Sequence, residues 1–389
     1  MCASHTIAQA LIRSHPFCSL MGFTRRQFVA VAGLSALAGC TSGADPGSEE
    51  TPTTTAESSA AGSTSVTDGG VPTAEETLIL PMDPSELESL AVSGGPPKDG
   101  IPSIDDPLFV GSDDADFLEP GDPVFGVALN GDIKAYPQKI LVQHEIVNDR
   151  LGDLAVAVTY CPLTGTVQGF ERGETTFGVS GRLINNNLVM YDRATEAWWP
   201  QILATSIPGP WNSAPGTKSL REFRLVWTTW EQWQDRYPDT QVLSTETGFA
   251  KNYGRDPYGS YNPPGGYYAN ENTLFKTLEE DDRFSRKRVF MGARTADGAV
   301  AFDKSTLLEE RIMTGELSGT PVVAVADQRL DTGYVYLNPD ERTVTTDGSA
   351  VLVGDSSYEP NALPLAGIHT FDAMWFAWHG YYPDTNVYA

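Results

Sequence analysis

The chain carries one pattern of residues twice, separated by a constant 166 positions. The aligned pairs at this offset include Gly126 and Gly292, Ala135 and Ala301, Tyr136 and Phe302, and Leu141 and Leu307. Each copy begins with a strand, a glycine-containing turn and a second strand, and continues with a short helix, a turn and a buried strand. The repeat predicts two related β-rich halves, over about 122–172 and 287–335.

The turn residues predict the fold class. Short apolar runs alternate with frequent Gly and Pro, which favours an α+β, β-rich fold with both halves packed into one compact domain over 76–389. Helices are expected mostly around 137–149, 228–236 and 370–380. The alternative is two separable domains with a boundary near 280.

The repeat also indicates where chemistry lies. The reactive side chains of the first copy have no counterparts in the second: His144, Asn148 and Cys161 align with Glu310, Thr314 and Asp327. The scaffold therefore recurs while its reactive groups do not, and we expect the functional site in the first copy.

The N-terminus resembles a signal peptide for export. Residues 24–28, Thr-Arg-Arg-Gln-Phe, match the twin-arginine signal through Arg25 and Arg26. The apolar run 28–38 is too short to span a bilayer, which needs about 20 residues, but it suits a signal-peptide core. It ends in Leu-Ala-Gly-Cys, a lipobox in which Cys40 is the lipidated residue.

This motif predicts the organisation of the first 75 residues. Residues 1–39 are interpreted as the export signal, with 1–20 a misassigned start because Met21 follows them. Residues 40–75 are interpreted as the lipidated cysteine and a disordered Ser/Thr-rich linker. We therefore expect export by the twin-arginine route and anchoring to the outer face of the cell membrane through lipid at Cys40.

The charge excludes one class of partner. The 389 residues contain 26 Lys and Arg against 51 Asp and Glu, a net charge of −25. Nucleic-acid binding needs basic surface, so no nucleic-acid partner is expected. The acids are spread along the chain and lysine is scarce, a pattern typical of proteins from salt-loving organisms such as halophilic archaea.

The cysteines leave a single thiol for chemistry. Of the four, Cys2 and Cys18 precede the folded part and Cys40 is the expected lipid acceptor, which leaves Cys161 alone in the domain. An intrachain disulfide or a zinc site of several thiolates is therefore excluded there.

The motif around Cys161 resembles the domain-of-unknown-function 3179 family. The resemblance covers most of residues 100–389 and is carried by the segments 135–137, 144–149, 160–166, 177–181, 190–193 and 376–378. The family has no established biochemical function. In its members the position of Thr164 is often a second cysteine, and some relatives carry selenocysteine in this motif, which implies redox chemistry. Thr164 removes the second thiol from the motif here.

The first functional hypothesis is a thiol redox or metal-handling protein centred on Cys161 and His144. Cys161 follows a buried strand, where backbone N–H groups favour thiolate. The expected catalytic residues are Cys161, His144, Thr164 and Asn148, with His144 as base and Thr164 as hydrogen-bond donor to the thiolate. A copper or zinc site would draw on Cys161, His144, His369 and His379, because soft thiolate and imidazole suit these metals.

The second hypothesis is a non-catalytic surface module that binds sugars or peptides through aromatic loops. Under it, Cys161 and His144 are structural, the run 185–187 is a turn, and the Tyr/Gly/Pro segment 255–268 is a loop without regular structure. The two differ in the expected environment of Cys161. Redox chemistry predicts partial exposure in a cleft near a histidine, whereas a binding module predicts full burial in apolar surroundings.

Overall fold

Short strands dominate the regular structure of the chain. A computed structural model describes residues 70–389. Its α-helices, α1 to α5, span Pro84–Ser89, Gln138–Leu141, Trp230–Arg236, Lys304–Glu310 and Trp375–Tyr381. The first strands, β1 to β13, span Val92–Ser93, Phe109–Gly111, Pro123–Leu129, Asp132–Pro137, Ile146–Leu151, Leu154–Cys161, Thr166–Glu171, Phe177–Ile184, Asn187–Asp192, Trp198–Pro200, Glu222–Phe223, Val226–Thr229 and Gln241–Leu243. The remaining strands, β14 to β26, span Gly259–Tyr261, Pro264–Gly266, Val289–Arg294, Ala299–Asp303, Ile312–Leu317, Thr320–Asp327, Thr332–Leu337, Val344–Asp347, Ala350–Val353, Ser356–Tyr358, Ala366–Ile368, Thr370–Met374 and Asn386–Tyr388. This content confirms the α+β, β-rich class.

The two halves share a strand order. In the first, β12, β3, β4 and β13 lie side by side, with β3 antiparallel to β4 and β13 parallel to β4. In the second, β25, β16, β17 and β26 repeat this order and these directions. A further sheet, β5-β6-β7-β11, has its counterpart in β18-β19-β20-β24. The fold thus consists of two related halves.

A tryptophan closes one sheet in each half. Trp233 on α3 lies over Gly126 and Trp378 on α5 lies over Gly292. A Cβ at these glycines would come within 2.2 Å and 1.9 Å of the indole rings. Each indole N–H donates to a threonine hydroxyl seven residues further on, over 3.0 and 3.1 Å. The glycine pair of the repeat is therefore required by close packing.

A shared core joins the halves. The largest apolar cluster takes Cys161 from β6, Met190 from the β8–β9 hairpin and Phe290 from β16. Because the halves bury side chains in one cluster and the described residues form one compact unit, the alternative of two separable domains is not supported.

The described chain begins within the segment interpreted as linker. Val71 is buried, Thr73 pairs with Leu220, and the N–H of Ala74 donates to Ser219 over 2.8 Å. The packed part therefore begins before residue 76. No helix among residues 70–389 is long and apolar enough to span a membrane.

The helix expected over 137–149 is shorter than the sequence indicates. It ends at Leu141, and strand β5 begins at Ile146. Glu145 has a left-handed φ of 60°, a conformation that non-glycine residues seldom adopt and that ends the helical run. The β-branched residues that follow instead pair with β6 in a buried ladder.

Candidate functional site

Cys161 lies at the end of a hairpin between two buried strands. It is the last residue of β6 and pairs with Thr166, the first residue of β7. The loop 162–165 connects them, and Gly165 takes a φ of 58° that glycine accommodates best. The Cys161 side chain is 2% exposed, so the partly open cleft expected by the redox hypothesis is not present.

Polar groups nevertheless surround the sulfur. The Cys161 thiol donates to the carbonyl of Asn186 over 3.5 Å. The Thr164 hydroxyl and the backbone N–H groups of Leu188 and Thr164 lie near the sulfur and act to lower the pKa of the thiol. Cys161 is therefore buried in the core without being in purely apolar surroundings, and neither hypothesis described its environment fully.

After burial itself, the charge of a nearby acid is the largest contribution to the raised pKa of Cys161. Burial, followed by the charge of Glu145, raises the pKa of Cys161 to about 11. Burial also raises the pKa of Glu145 to about 8. The thiol and the carboxyl are thus both neutral at neutral pH, and the charge that Glu145 takes at higher pH acts on the thiol.

Glu145 is held in place by the backbone around it. Its N–H donates to Leu141 over 2.6 Å, and its carbonyl accepts from the N–H of Tyr160 over 2.7 Å. Together with the left-handed φ, these bonds place the acid between the end of α2 and the strand that carries Cys161. Uncommon backbone conformations cluster at functional sites, because the surrounding structure must stabilise them.

Tyrosines of one loop cover the thiol. We call residues 253–268 the tyrosine loop. Burial raises the pKa of Tyr258 and Tyr267, and both lie close enough to Cys161 for charge on the sulfur to raise it further. The Tyr267 hydroxyl donates to the carbonyl of Leu163 over 2.8 Å, which fixes the loop to the hairpin tip. Part of the segment is regular, because β14 and β15 pair within it.

His144 does not serve Cys161 in this structure. One ring nitrogen, Nδ1, lies 2.7 Å from the carbonyl oxygen of Pro102, and Nε2 lies 2.7 Å from the hydroxyl of Tyr253. Burial lowers the pKa of His144. Both nitrogens are thus occupied by protein oxygens. The ionisable residue whose charge acts on the thiol is the neighbouring Glu145.

Asn148 is likewise committed to structure. Its amide nitrogen donates to Asp105 over 2.7 Å and to the carbonyl of Phe177 over 2.9 Å. Its amide oxygen accepts from the Phe177 N–H over 2.9 Å. The predicted catalytic Asn148 therefore joins β5 to β8, because both of its amide hydrogens and its amide oxygen are bonded there.

The predicted metal ligands have separate partners. His369 lies 3.5 Å from Glu222, and burial lowers its pKa to about 4. His379 lies 3.7 Å from Asp281 and stacks on Trp375. Within residues 70–389 no three His, Cys, Asp or Glu side chains are grouped so that they could hold a metal ion. The expected copper or zinc site, with Cys161, His144, His369 and His379 as ligands, is not assembled here.

Sequence reasoning missed several site residues. The Asn run is a buried turn between β8 and β9, with positive φ at Asn185 and Asn186. Asn187 donates to the Thr164 hydroxyl over 3.1 Å, so the turn contacts the hairpin of Cys161 directly. Three consecutive asparagines between two apolar strands, and a glutamate at a helix end, were the available signals. Arg25, Arg26 and Cys40 lie outside the described residues.

Comparison with known proteins identifies the family. The family described as "Protein of unknown function (DUF3179)" matches residues 98–385, about three quarters of the chain. No curated protein and no solved structure matches the chain. The matched segment includes both halves, the thiol hairpin and the tyrosine loop. The chain therefore belongs to the DUF3179 family of proteins of unknown function.

Proposed function

We propose that the protein is a thiol redox protein in which Cys161 reacts with a small oxidant and Glu145 transfers the proton. The observation that carries this proposal is a buried thiol that feels the charge of a carboxyl whose own pKa burial raises to about 8. A structural cysteine needs no such neighbour, and burying an acid costs free energy. Perturbed ionisable groups of this kind concentrate at functional sites.

The hydrogen-bond donors support a reactive sulfur. The Thr164 hydroxyl and two backbone N–H groups stabilise negative charge on the sulfur of Cys161. These donors lower the pKa of Cys161, whereas burial and the charge of Glu145 raise it. When Glu145 holds its proton, as it does below about pH 8, its charge no longer raises the thiol pKa. A neutral Glu145 therefore favours attack by the sulfur.

The proposed step uses a hydroperoxide as oxidant. The sulfur attacks the terminal oxygen, so an S–O bond forms as the O–O bond breaks, and the sulfur is oxidised by two electrons to sulfenic acid. The leaving oxygen takes the proton of Glu145. Glu145 is then protonated again by the proton that the thiol releases. The products are the sulfenic acid and an alcohol or water. Two molecules of a low-molecular-weight thiol then return Cys161 to the thiol and yield a disulfide and water.

Burial limits the oxidant to small molecules. Thiol–disulfide exchange requires a disulfide to approach the attacking sulfur directly. At 2% exposure, with Tyr267 bonded over the hairpin tip, Cys161 cannot receive a protein disulfide without loop movement. A hydroperoxide needs a much smaller opening, which favours it over a protein substrate.

The test is site-specific detection of the sulfenic acid. The full chain is treated with hydrogen peroxide and dimedone, and the label is located by peptide mass spectrometry. We expect labelling of Cys161 in the native protein, reversal by a low-molecular-weight thiol, and no label at this position in Cys161→Ser. A Cys161 that stays a thiol in the native protein, but is oxidised once the chain is denatured, would refute the proposal.

We also propose that this site lies outside the cell. The support is the order of twin-arginine motif, apolar run and lipobox at Arg25, Arg26 and Cys40. The test is metabolic labelling with a fatty-acid analogue, compared between the natural chain and Cys40→Ser. Lipid label retained in Cys40→Ser, or a protein left in the cytoplasm, contradicts the assignment.

A further inference from the structure

Two arginines cross the seam between the halves, where β7 of the first lies against β25 of the second. Arg294, the last residue of β16, has a fully buried side chain, and its Nη2 donates to Glu222 of β11 over 2.8 Å. Arg224, two residues after Glu222, donates through Nη2 to the hydroxyl of Thr332 and the carbonyl of Gly333, over 2.7 Å each. Each half thus supplies one arginine to groups of the other.

These arginines carry donors that no protein atom accepts. Nε and Nη1 of Arg294 and Nε of Arg224 are buried and have no hydrogen-bond partner among residues 70–389. Nε2 of His369, 3.5 Å from the same Glu222 oxygen, is also without a partner in that range. These four atoms are half of the eight such buried side-chain atoms in the described part of the chain. Because an unbonded buried donor costs free energy, a group of them indicates a bound water or ion.

The register of the strands places these donors together. Ala293 of β16 pairs with Thr370 of β25, so that Arg294 and His369 are the next residues along the two strands. Nη1 of Arg224 donates to the carbonyl of Thr370. The unpartnered nitrogens therefore lie in one small region of the seam.

The charge of this region is positive. Two guanidinium groups, which keep their protons in proteins, face the single carboxylate of Glu222. Asp327 pairs with Thr332 across β19 and β20, but its two oxygens already accept from Arg329 over 3.0 and 3.1 Å. Because buried charges are stable only when they are paired, the excess positive charge favours an anion over a water molecule.

We propose that this cluster is a binding site for a small monovalent anion of the size of chloride. The Arg294 side chain is fully buried, which restricts the ligand to a small ion. The anion supplies the negative charge that the one carboxylate leaves missing, and it accepts from an arginine of each half. It therefore stabilises the folded chain by holding the halves together. The proposed reaction of Cys161 does not depend on this ion.

The experiment follows thermal unfolding of the full chain at neutral pH, as chloride replaces gluconate at constant sodium concentration and ionic strength. Gluconate is too large for the site. A bound ion stabilises the folded state by about 1.4 kcal/mol for each tenfold increase above its dissociation constant. We expect the melting temperature to rise by about 2 °C for each such increase. A melting temperature independent of chloride would mean that the donors bind water only, and it would overturn the proposal.

Substitutions locate the ion. Arg294→Met should abolish the dependence on chloride. The matched control is Arg172→Met, because all three nitrogens of Arg172 already donate to carbonyls, over 2.7 to 3.3 Å. The control should lower the melting temperature equally in both salts and keep the full dependence on chloride. A dependence that survives in Arg294→Met would overturn the proposal, since the ion would then bind elsewhere.

Glu222→Gln keeps the experiment decisive if Arg294→Met does not fold. It retains both arginines and removes the carboxylate charge that competes with the anion. The chloride titration of this variant should therefore shift to concentrations at least about tenfold lower. A titration that stays where it is in the natural protein would contradict the proposed site.

Discussion

Replacing Glu145 with glutamine separates the effect of charge from the effect of burial on the thiol. Burial and then the Glu145 charge together raise the pKa of Cys161 from 9.0 to about 11. Glutamine keeps the volume and backbone preferences of glutamate and removes only the charge. The thiol pKa should therefore fall, by less than the full two units, and we expect a decrease of about 0.5 to 1 unit.

The pH dependence makes this prediction specific. Glu145 is neutral below about pH 8 and charged above it. The natural protein and Glu145→Gln should therefore be alkylated at similar rates at pH 7. Above pH 8 the variant should react about three to ten times faster, as its thiol pKa is lower by the amount given above. The assay is the initial rate of iodoacetamide labelling at Cys161, measured from pH 7 to 11.

The pH dependence of stability tests the raised pKa of Glu145 independently. A carboxyl whose folded-state pKa is raised contributes stability that is fully present below the unfolded-state pKa and is lost as the pH rises to the folded-state value. For Glu145 this window runs from 4.5 to about 8. The free energy of unfolding should therefore decline relative to that of Glu145→Gln by about 1.4 kcal/mol per pH unit, at most about 5 kcal/mol in all. Equal alkylation profiles together with parallel stability curves for the two proteins would refute the placement of Glu145 beside the thiol.

Three further predictions test other parts of the structure. His144→Gln should leave the thiol pKa unchanged in the alkylation assay, because both ring nitrogens bond elsewhere. A pKa shift as large as the one expected for Glu145→Gln would show that His144 interacts with the thiol. Gly292→Ala should lower the free energy of unfolding by about 2 kcal/mol, as its Cβ would collide with Trp378, whereas Gly367→Ala, with its nearest atom 3.7 Å away, should be neutral in the same denaturant titration. Although burial alone would raise the pKa of Asp303, hydrogen bonds from neighbouring side chains lower it to about 2, so the natural protein should lose about 2 kcal/mol relative to Asp303→Asn between pH 4 and 2; a constant difference over that range would contradict the assignment.

The fold was predictable from the sequence to the extent that local pattern determines it. The repeat at 166 positions follows from strand periodicity and turn residues, which act over a few neighbours. It identified Gly126 and Gly292 as equivalent. The matching tryptophans, Trp233 and Trp378, lie 145 positions apart, because the chain between sheet and helix differs in length in the two halves. The constant offset of 166 positions therefore aligns the two glycines but not the two tryptophans.

Helix length was the main local error. The segment after Leu141 has polar residues at helical spacing, but Glu145 turns the backbone into the left-handed region and the chain enters β5. The strand is stabilised by its pairing with β6. Tertiary pairing therefore overrode the local helical pattern, as it commonly does for short segments.

The sequence alone determined that Cys161 is the one thiol in the folded domain and that it ends a strand before a tight turn. Those properties depend on residue counts and on short-range turn chemistry. The tertiary structure decided which groups surround that thiol. The turn at Asn186 and Asn187 meets it from more than 20 positions away, and Tyr267 from more than 100. Such contacts depend on how strands pack in three dimensions, which is why Glu145 rather than His144 is the ionisable residue whose charge acts on the thiol.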